Sequence, residues 1–367
     1  MESFDARLLA WYDVHARRLP WRVPPGAGRP PDPYRVWLSE IMLQQTTVAA
    51  VKPYFARFLD LWPTVGDLAR ASEADVMRAW AGLGYYSRAR NLKACADEIA
   101  ARGGFPRTES ALRDLPGIGA YTAAAIAAIA FAERAVVVDG NVERVATRHR
   151  AIDTPMPKAK VEVRAAMDAR TPQERPGDFA QAMMDLGATI CTPRSPACAL
   201  CPVNEDCRAH SAGDVERYPV KAPRKAKPER VGAVFVARRS DGAVLLVRRA
   251  RAGMLGGMVA LPTTGWNARE DGETGAEAAP FPAAWREAGT VRHGFTHFAL
   301  TLTVWTATDI ADSHIAGSGS IGSGSAGSGA CWWAASDGPD MAGLPTLFAK
   351  AFAVAGGDQA AVPSRSR

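Results

Sequence analysis

No run of about 18 or more apolar residues occurs anywhere in the 367-residue chain, so no segment is built to cross a bilayer as a helix. The opening stretch Met1 to Leu9 has no apolar core of the kind a secretory signal needs, and the expected location is cytoplasmic, with no membrane partner. Cysteine is too scarce and too unevenly placed for a disulfide framework. Of six, Cys95 and Cys331 stand alone and the other four crowd between positions 191 and 207. Acidic residues fall short of basic ones, 38 against 44, and the net charge of +6 leans weakly towards a polyanionic partner. Apolar residues make up 47 % of the chain, ordinary for a cored protein, and the length suits two domains.

What is there is most concentrated at Cys191, Cys198, Cys201 and Cys207, in the spacing C-x6-C-x2-C-x5-C. Four thiolates in so short a stretch can wrap one tetrahedral site, either a structural zinc or a [4Fe–4S] cluster. A zinc ribbon usually offers two C-x-x-C knuckles. Here there is one knuckle with loose outer arms, a spacing that favours the cluster and leaves zinc as the alternative.

From about Phe4 to Cys207 the texture is helical, with periodic apolar positions, many alanines and regular Pro or Gly punctuation. Residues 208–230 carry Pro219, Pro223 and Pro228 with seven basic and three acidic groups, which predicts an extended cationic linker. Beyond it, Val231 to Ala237 and Ala243 to Val247 are short β-type runs around the turn Ser240-Asp241-Gly242, and Phe298 to Thr306 alternates like another strand. The expected organisation is therefore a mainly α domain over 1–207, a linker over 208–230 and an α+β domain over 231–355. Within the last, the Gly/Ser tract 315–329 cannot bury apolar area and is expected to be a disordered loop, and 356–367 reads as a tail.

Three features of the α domain carry chemistry. Leu115-Pro116-Gly117-Ile118-Gly119 precedes a helix expected over Ala120 to Phe131. Two glycines two apart allow a tight turn with bare amides, and the helix adds its positive N-terminal end, together a seat for one phosphate; the bland alternative is a plain helix-to-helix turn. Asp139 ends an apolar run and opens a new helical period, so it is either just an N-cap or also a rigid, ionised carboxylate facing a developing cation. Glu40 lies between Val36-Trp37-Leu38 and Ile41-Met42-Leu43, where a helix would set it beside an apolar surface. Desolvation there would keep it protonated near neutral pH, as a general acid requires, whereas on a solvated helix face it would be an ordinary surface charge.

Taken together, Trp37-Leu-Ser-Glu40-Ile-Met-Leu-Gln-Gln45-Thr, Gly82-Leu-Gly-Tyr85-Tyr86-Ser-Arg-Ala-Arg-Asn91, Leu115 to Gly119, Val138-Asp139-Gly-Asn-Val142 and the four-cysteine run resemble the adenine DNA glycosylase (MutY) family of helix-hairpin-helix iron–sulfur glycosylases. The match spans essentially the whole chain, and five motifs in the right order are far more specific than any one. The resemblance implies a mainly α helix-hairpin-helix glycosylase domain with a [4Fe–4S] loop held by the four cysteines, followed by an α+β Nudix-like domain. It implies a monomer acting on double-stranded DNA, in a nucleoid-associated location, that flips out adenine mispaired with 8-oxoguanine or guanine and hydrolyses its N-glycosidic bond in base excision repair. Glu40 would protonate adenine N7. Asp139 would stabilise the oxocarbenium sugar, a role open to a transient adduct, with Tyr121 and Asn141 supporting that centre. Arg22, Leu43 and Gln181 would surround the flipped adenine, Gln45 and Tyr85 would enter the duplex beside the lesion, and Leu115, Gly117, Ile118 and Gly119 would hold the DNA phosphate. In related bifunctional lyases a lysine of the hairpin helix forms a Schiff base. Tyr121 stands at that position here, and a phenol cannot form an imine, so a monofunctional enzyme is expected.

In the second domain, Gly253 to Pro262 and His293-Gly-Phe295-Thr296-His297-Phe298 resemble the part this family uses to inspect 8-oxoguanine, with Phe295 stacking and Thr296 and His297 hydrogen-bonding; serine is the commoner residue at the middle position. A nucleotide pyrophosphohydrolase in this domain would need an R-E-x-x-E-E helix to hold metal. Only Arg286-Glu287 remains of it, followed by Ala288-Gly289. The other competing readings are a DNA-binding module with a redox-sensing cluster, in which Glu40 and Asp139 would be superfluous, and a bifunctional glycosylase/lyase for oxidised pyrimidines.

Overall fold

The computed structural model describes residues 2–223, 226–250, 254–295, 297–312 and 331–356. The chain divides into two compact units, Met1–Pro223 and Arg224–Arg367. The first is helical: α1 Phe4–His15, α2 Pro33–Leu43, α3 Val48–Leu61, α4 Val65–Arg70, α5 Glu73–Trp80, α6 Ser87–Ala101, α7 Glu109–Arg113, α8 Ala120–Phe131, α9 Gly140–Arg150, α10 Lys160–Asp168, α11 Pro176–Thr189 and α12 Arg208–Ser211. Most of the early helices begin at a side-chain cap. Ser3, Asp32, Thr47, Thr64, Ser72, Thr108 and Asp139 each accept a bond from a first-turn amide of the helix that follows.

Trp37, Trp80, Phe55, Phe58, Leu8 and Tyr12 are fully buried in the core of this unit. The central helix α8 buries Ala123 to Ala128 without a break. Side chains that small let α2, α7 and α11 pack against it, which is what draws the chemistry-bearing residues of several helices to one place.

Residues 208–221 depart from the extended linker expected of them. Arg208–Ser211 is helical, Val215–Arg217 makes a 3-10 turn, and Tyr218 is buried. The Tyr218 carbonyl accepts Arg148 Nε at 3.1 Å, its hydroxyl donates to Asp153 at 3.2 Å, and Met156 N donates to Val220 O at 2.8 Å. One buried aromatic anchors the segment to the first unit despite its prolines and positive charge.

Among its described residues the second unit holds two three-stranded sheets. In one, β1 (Glu229–Ala237) lies parallel to β5 (Ala299–Ala307), and β4 (Arg286–Gly294) lies antiparallel to β5 with a bulge between Glu287 and Gly289. In the other, β2 (Val244–Arg248) sits between β3 (Val259–Ala260) and β6 (Cys331–Ala334), all antiparallel. A closing helix, Thr346–Val354, buries Leu347, Phe348, Ala351 and Phe352 in the same core as Trp266, Phe298 and Leu302. Arg286 and Glu287 open strand β4 and lie on no helix, so their resemblance to a metal-holding helix motif is coincidental. The Gly/Ser tract 315–329 and nearly all of the tail 356–367 lie outside the described residues.

Candidate active site

A cavity of about 1080 Å³ opens in the first unit, walled by α2, α8, α9 and α11 and by the segment before α2. Glu40, Tyr121, Asp139, Asn141, Arg22, Leu43, Gln181 and Gln45 all line it. Sequence positions more than 150 apart therefore meet in one place, which is the first test any catalytic assignment has to pass.

Glu40 sits on a helix that is buried nearly all round, and is itself 7 % exposed. Burial pushes its carboxyl up to about 7, against a hydrogen bond from Tyr121 and the positive charge of Arg22, which pull it down; the charge of Asp139 adds to the rise. Near neutral pH the group is thus poised between its two forms, the condition for donating a proton. Tyr121 opens α8 and faces both carboxylates. Burial and these two charges hold its phenol far above its ordinary range, so it remains a neutral donor, and its hydroxyl also lies 3.6 Å from Met184 Sδ.

Asp139 is the N-cap of α9. Its Oδ1 accepts Val142 N at 2.7 Å and its Oδ2 accepts Asn141 Nδ2 at 2.8 Å, so both oxygens are oriented by neighbours. Asn141 is itself fixed, because Arg144 Nη2 donates to its Oδ1 at 2.8 Å and to Gly187 O at 2.7 Å, while Arg144 Nε donates to Cys191 O at 2.7 Å. No local pattern in the sequence marks that link between the cysteine loop and the carboxylate. At the same cavity, Arg22 Nη1 donates to both oxygens of the fully buried Asp185, at 2.8 and 2.7 Å, a partner also missed. The signal was there to be read: a charge inside the apolar run Met183-Met184-Asp185-Leu186. Gln181 is buried, with Nε2 donating to Gly177 O at 3.3 Å.

Gln45 and Tyr85 are exposed, and both have left-handed backbones, φ 55° and 49°, costly for residues with a side chain. Gln45 lies at the cavity and Tyr85 does not line it. One buried residue holds both loops. Arg88 donates to Ile41 O, Met42 O and Thr46 Oγ1 on one side and to Gly84 O on the other, at 2.8 to 3.2 Å, with its guanidinium 5.1 Å from the Trp80 ring and 5.5 Å from the Tyr85 ring.

At the hairpin, Gly117 has φ 73°, and a Cβ there would stand 2.5 Å from Asn91 Cβ, so only glycine fits. Gly119 caps α8 without a side-chain bond, leaving the first amides of a 12-residue helix without a side-chain acceptor beside Leu115 and Ile118. That is the arrangement a phosphate oxygen would complete.

Cys191, Cys198, Cys201 and Cys207 line a second, small cavity with Leu186, Ile190, Val203 and Arg148. Among the described residues no three His, Cys, Asp or Glu side chains stand close enough to ligate a single metal ion. Four thiols lining one shared space are the donor set that a [4Fe–4S] cluster takes. Burial, with the neighbouring Cys191, Cys198 and Cys207 adding to it, would push the Cys201 thiol up to about 12, so the charge of bound iron is what would make these groups thiolates. Arg148 braces the loop, donating to Cys191 Sγ at 3.3 Å, Thr192 O at 2.7 Å and Pro193 O at 3.0 Å.

In the second unit, the turn between β4 and β5 carries Phe295, half-buried, and His297, exposed; Thr296 lies outside the described residues. Phe295 stacks on Phe298 at 4.8 Å, meets His293 edge-on at 4.8 Å, and its carbonyl accepts Lys227 Nζ at 2.7 Å.

Residues 38–172 match the model of the HhH-GPD superfamily base excision DNA repair protein, 191–207 the iron–sulfur binding domain of endonuclease III, and 233–354 the NUDIX domain. The chain is 38 % identical over 362 residues to the adenine DNA glycosylase of Homo sapiens, covering 83 % of this chain and 66 % of that one, and 37 % identical to that of Rattus norvegicus, covering 83 % and 70 %. Against the adenine DNA glycosylase of Mycolicibacterium smegmatis it is 45 % identical over 218 residues, 58 % of this chain and 71 % of the relative. Among solved structures a thermostable thymine-DNA glycosylase superposes with a TM-score of 0.51 at 29 % identity, covering 57 % of this chain and 95 % of that chain.

Proposed function

The chain belongs to the adenine DNA glycosylase family, and from that premise we propose that it removes adenine mispaired with 8-oxoguanine, or with guanine, by hydrolysing the N-glycosidic bond without cutting the strand. The observation that carries this reading is the buried Glu40, poised near neutrality, in one cavity with the doubly oriented Asp139.

Glu40, protonated, gives its proton to adenine N7 and makes the base a leaving group. Asp139, held by the α9 amide and by Asn141, stabilises the cationic sugar that develops and can trap it before water completes the hydrolysis. Tyr121, a neutral phenol, hydrogen-bonds Glu40 and faces the charge of Asp139. Arg22, Leu43 and Gln181 cradle the base, while Gln45 and Tyr85, pushed out on strained loops, fill the duplex it leaves. The hairpin amides hold a phosphate. The four cysteines hold the [4Fe–4S] cluster, which supplies a rigid cross-link to the loop next to α9. Monofunctional hydrolysis is favoured because Tyr121 cannot form an imine, and Lys160, at the rim of the cavity, is 62 % exposed and ion-paired with Glu143 at 3.3 Å. Phe295, Thr296 and His297 read the oxidised base on the opposite strand.

Duplexes bearing adenine opposite 8-oxoguanine, adenine opposite guanine, or thymine glycol decide the matter. The two adenine substrates should yield alkali-labile sites and no strand cut before alkali, with thymine glycol untouched. Cleavage without alkali, or attack on thymine glycol, would favour the bifunctional alternative and overturn the proposal.

A further inference from the structure

Behind Arg22 the cavity wall hides a charge that the adenine chemistry above does not use. Asp185 on α11 is fully buried between Met184 and Leu186. It accepts Arg17 N at 2.9 Å and Arg17 Nε at 2.5 Å, in addition to both bonds from Arg22. Tyr12 of α1 faces the same group, with its hydroxyl buried and unpartnered and Asp178 acting on it from the start of α11. Two guanidiniums thus share one carboxylate and the trio carries one net positive charge. A buried ion triad is a poor device for stability alone, since apolar residues of similar volume often do as well or better. The side of the trio that matters faces Glu40, on which Arg22 acts directly; the other charged or titratable groups acting on Glu40 are Tyr121 from α8 and Asp139 from α9.

We infer that Asp185 is a positioning residue for base excision: by clamping Arg22 in place and offsetting its charge, it keeps the guanidinium from drawing the proton off Glu40, so the acid stays loaded near neutral pH. The inference rests on the reading of Glu40 as the general acid. Its sign is fixed by electrostatics. Removing the negative charge leaves Arg22, which acts on Glu40, and Arg17 at the same cavity without a counter-charge, which favours the ionised carboxylate and empties the acid. The same charge also sets where Arg22 can reach, since both carboxylate oxygens hold its Nη1 in place.

The test is the pH profile of single-turnover adenine excision on the full chain, with cluster absorbance and thermal melting as controls for folding. Asp185→Asn keeps the shape and removes the charge. The alkaline limb of its profile should move towards acid by about one pH unit, so that excision falls about tenfold at pH 7.5 and stays within about twofold of the parent at pH 5.5. Asp185→Glu should restore the parental limb. Adding Arg17→Met to Asp185→Asn returns the group to one net positive charge and should move the limb back, even though the clamp is still broken. Should Asp185→Asn fail to fold, Arg17→Met alone decides, because it lowers the charge beside Glu40 and should move the limb towards alkali. Rates reduced equally at every pH, with the limb unmoved, would overturn the inference. Glu40→Gln keeps the two claims apart: a near-normal rate in that variant defeats the acid assignment, whereas an inactive Glu40→Gln together with an unmoved limb in the folded Asp185 or Arg17 variants defeats only the role of Asp185.

Discussion

A glutamate carried by a helix into an apolar wall must lose its charge or find a partner, and Glu40 does some of each. Its carboxyl is raised to about 7 from an ordinary 4.5, chiefly by burial, so the folded state prefers it protonated. The stability this contributes is present in full below about pH 4.5 and is lost as pH rises through 7, where keeping the ionised form buried costs on the order of a few kcal/mol. Glu40→Gln should therefore do two opposite things. Single-turnover excision should fall by about 10² to 10⁴, the usual value of a positioned acid, with DNA binding retained. Thermal melting should rise relative to the parent at pH 8 and hardly at pH 5, because a neutral amide escapes the ionisation cost. An unchanged rate would remove Glu40 from the mechanism, and a melting difference independent of pH would show that its carboxyl is not raised. At this scale the sequence was legible wherever a polar residue interrupts an apolar run: Glu40 and Asp139 stood out for that reason. Asp185 met the same condition and was passed over, because nothing local shows that Arg17 and Arg22, over 160 positions away, would reach it.

Elements were legible in proportion to how regular their burial is. Helix α8 occupies the predicted Ala120 to Phe131 because its apolar face and its glycine start are both local signals. Strand β4 was missed: as an edge strand with a bulge, two glycines and mostly exposed side chains, it shows no alternation. Segment 208–221 misled because prolines and charge describe the unpaired chain, while Tyr218 decides its fate through contacts far off in sequence. The crossing of α9 and α11 was invisible for the same reason, yet it is tight: a Cβ on Gly187 would stand 2.5 Å from Asn141 Cβ. Gly187→Ala must push Asn141, and with it one of the two bonds that orient Asp139. Excision should fall at least about tenfold in single-turnover assays, since displacements near 1 Å can cost 10². The cluster's visible absorbance should persist. In the neighbouring loop, Cys198→Ser should lose colour, iron and DNA binding together, against about four irons per parental chain measured by metal analysis; a colourless, zinc-loaded and active protein would contradict the cluster assignment.

At the scale of the whole molecule, the acid, the second carboxylate and the cysteine loop all belong to the first unit, and Phe295 and His297 to the second. Each unit has its own aromatic core, so the proposed chemistry and the proposed lesion reading can fail separately. Phe295 already packs on Phe298, Trp266 and His293, which leaves its half-exposed ring and the exposed His297 as the groups this turn can offer a base. Ending the chain at Pro223 should therefore leave adenine excision possible but weaken the preference for 8-oxoguanine over guanine opposite adenine. Each buried hydrogen bond to the lesion that is lost should cost about 1 to 3 kcal/mol, or roughly 5- to 150-fold in preference. His297→Ala in the full chain should show part of that loss while melting like the parent, which guards against reading a damaged truncation as a lost contact. The effect should appear in competition binding between the two duplexes and hardly in the excision rate at saturating enzyme, because the opposite strand takes no part in breaking the glycosidic bond. If the shortened chain kept full discrimination, lesion reading would have to be sought in the first unit, with the exposed, strained Gln45 and Tyr85 as the next residues to change.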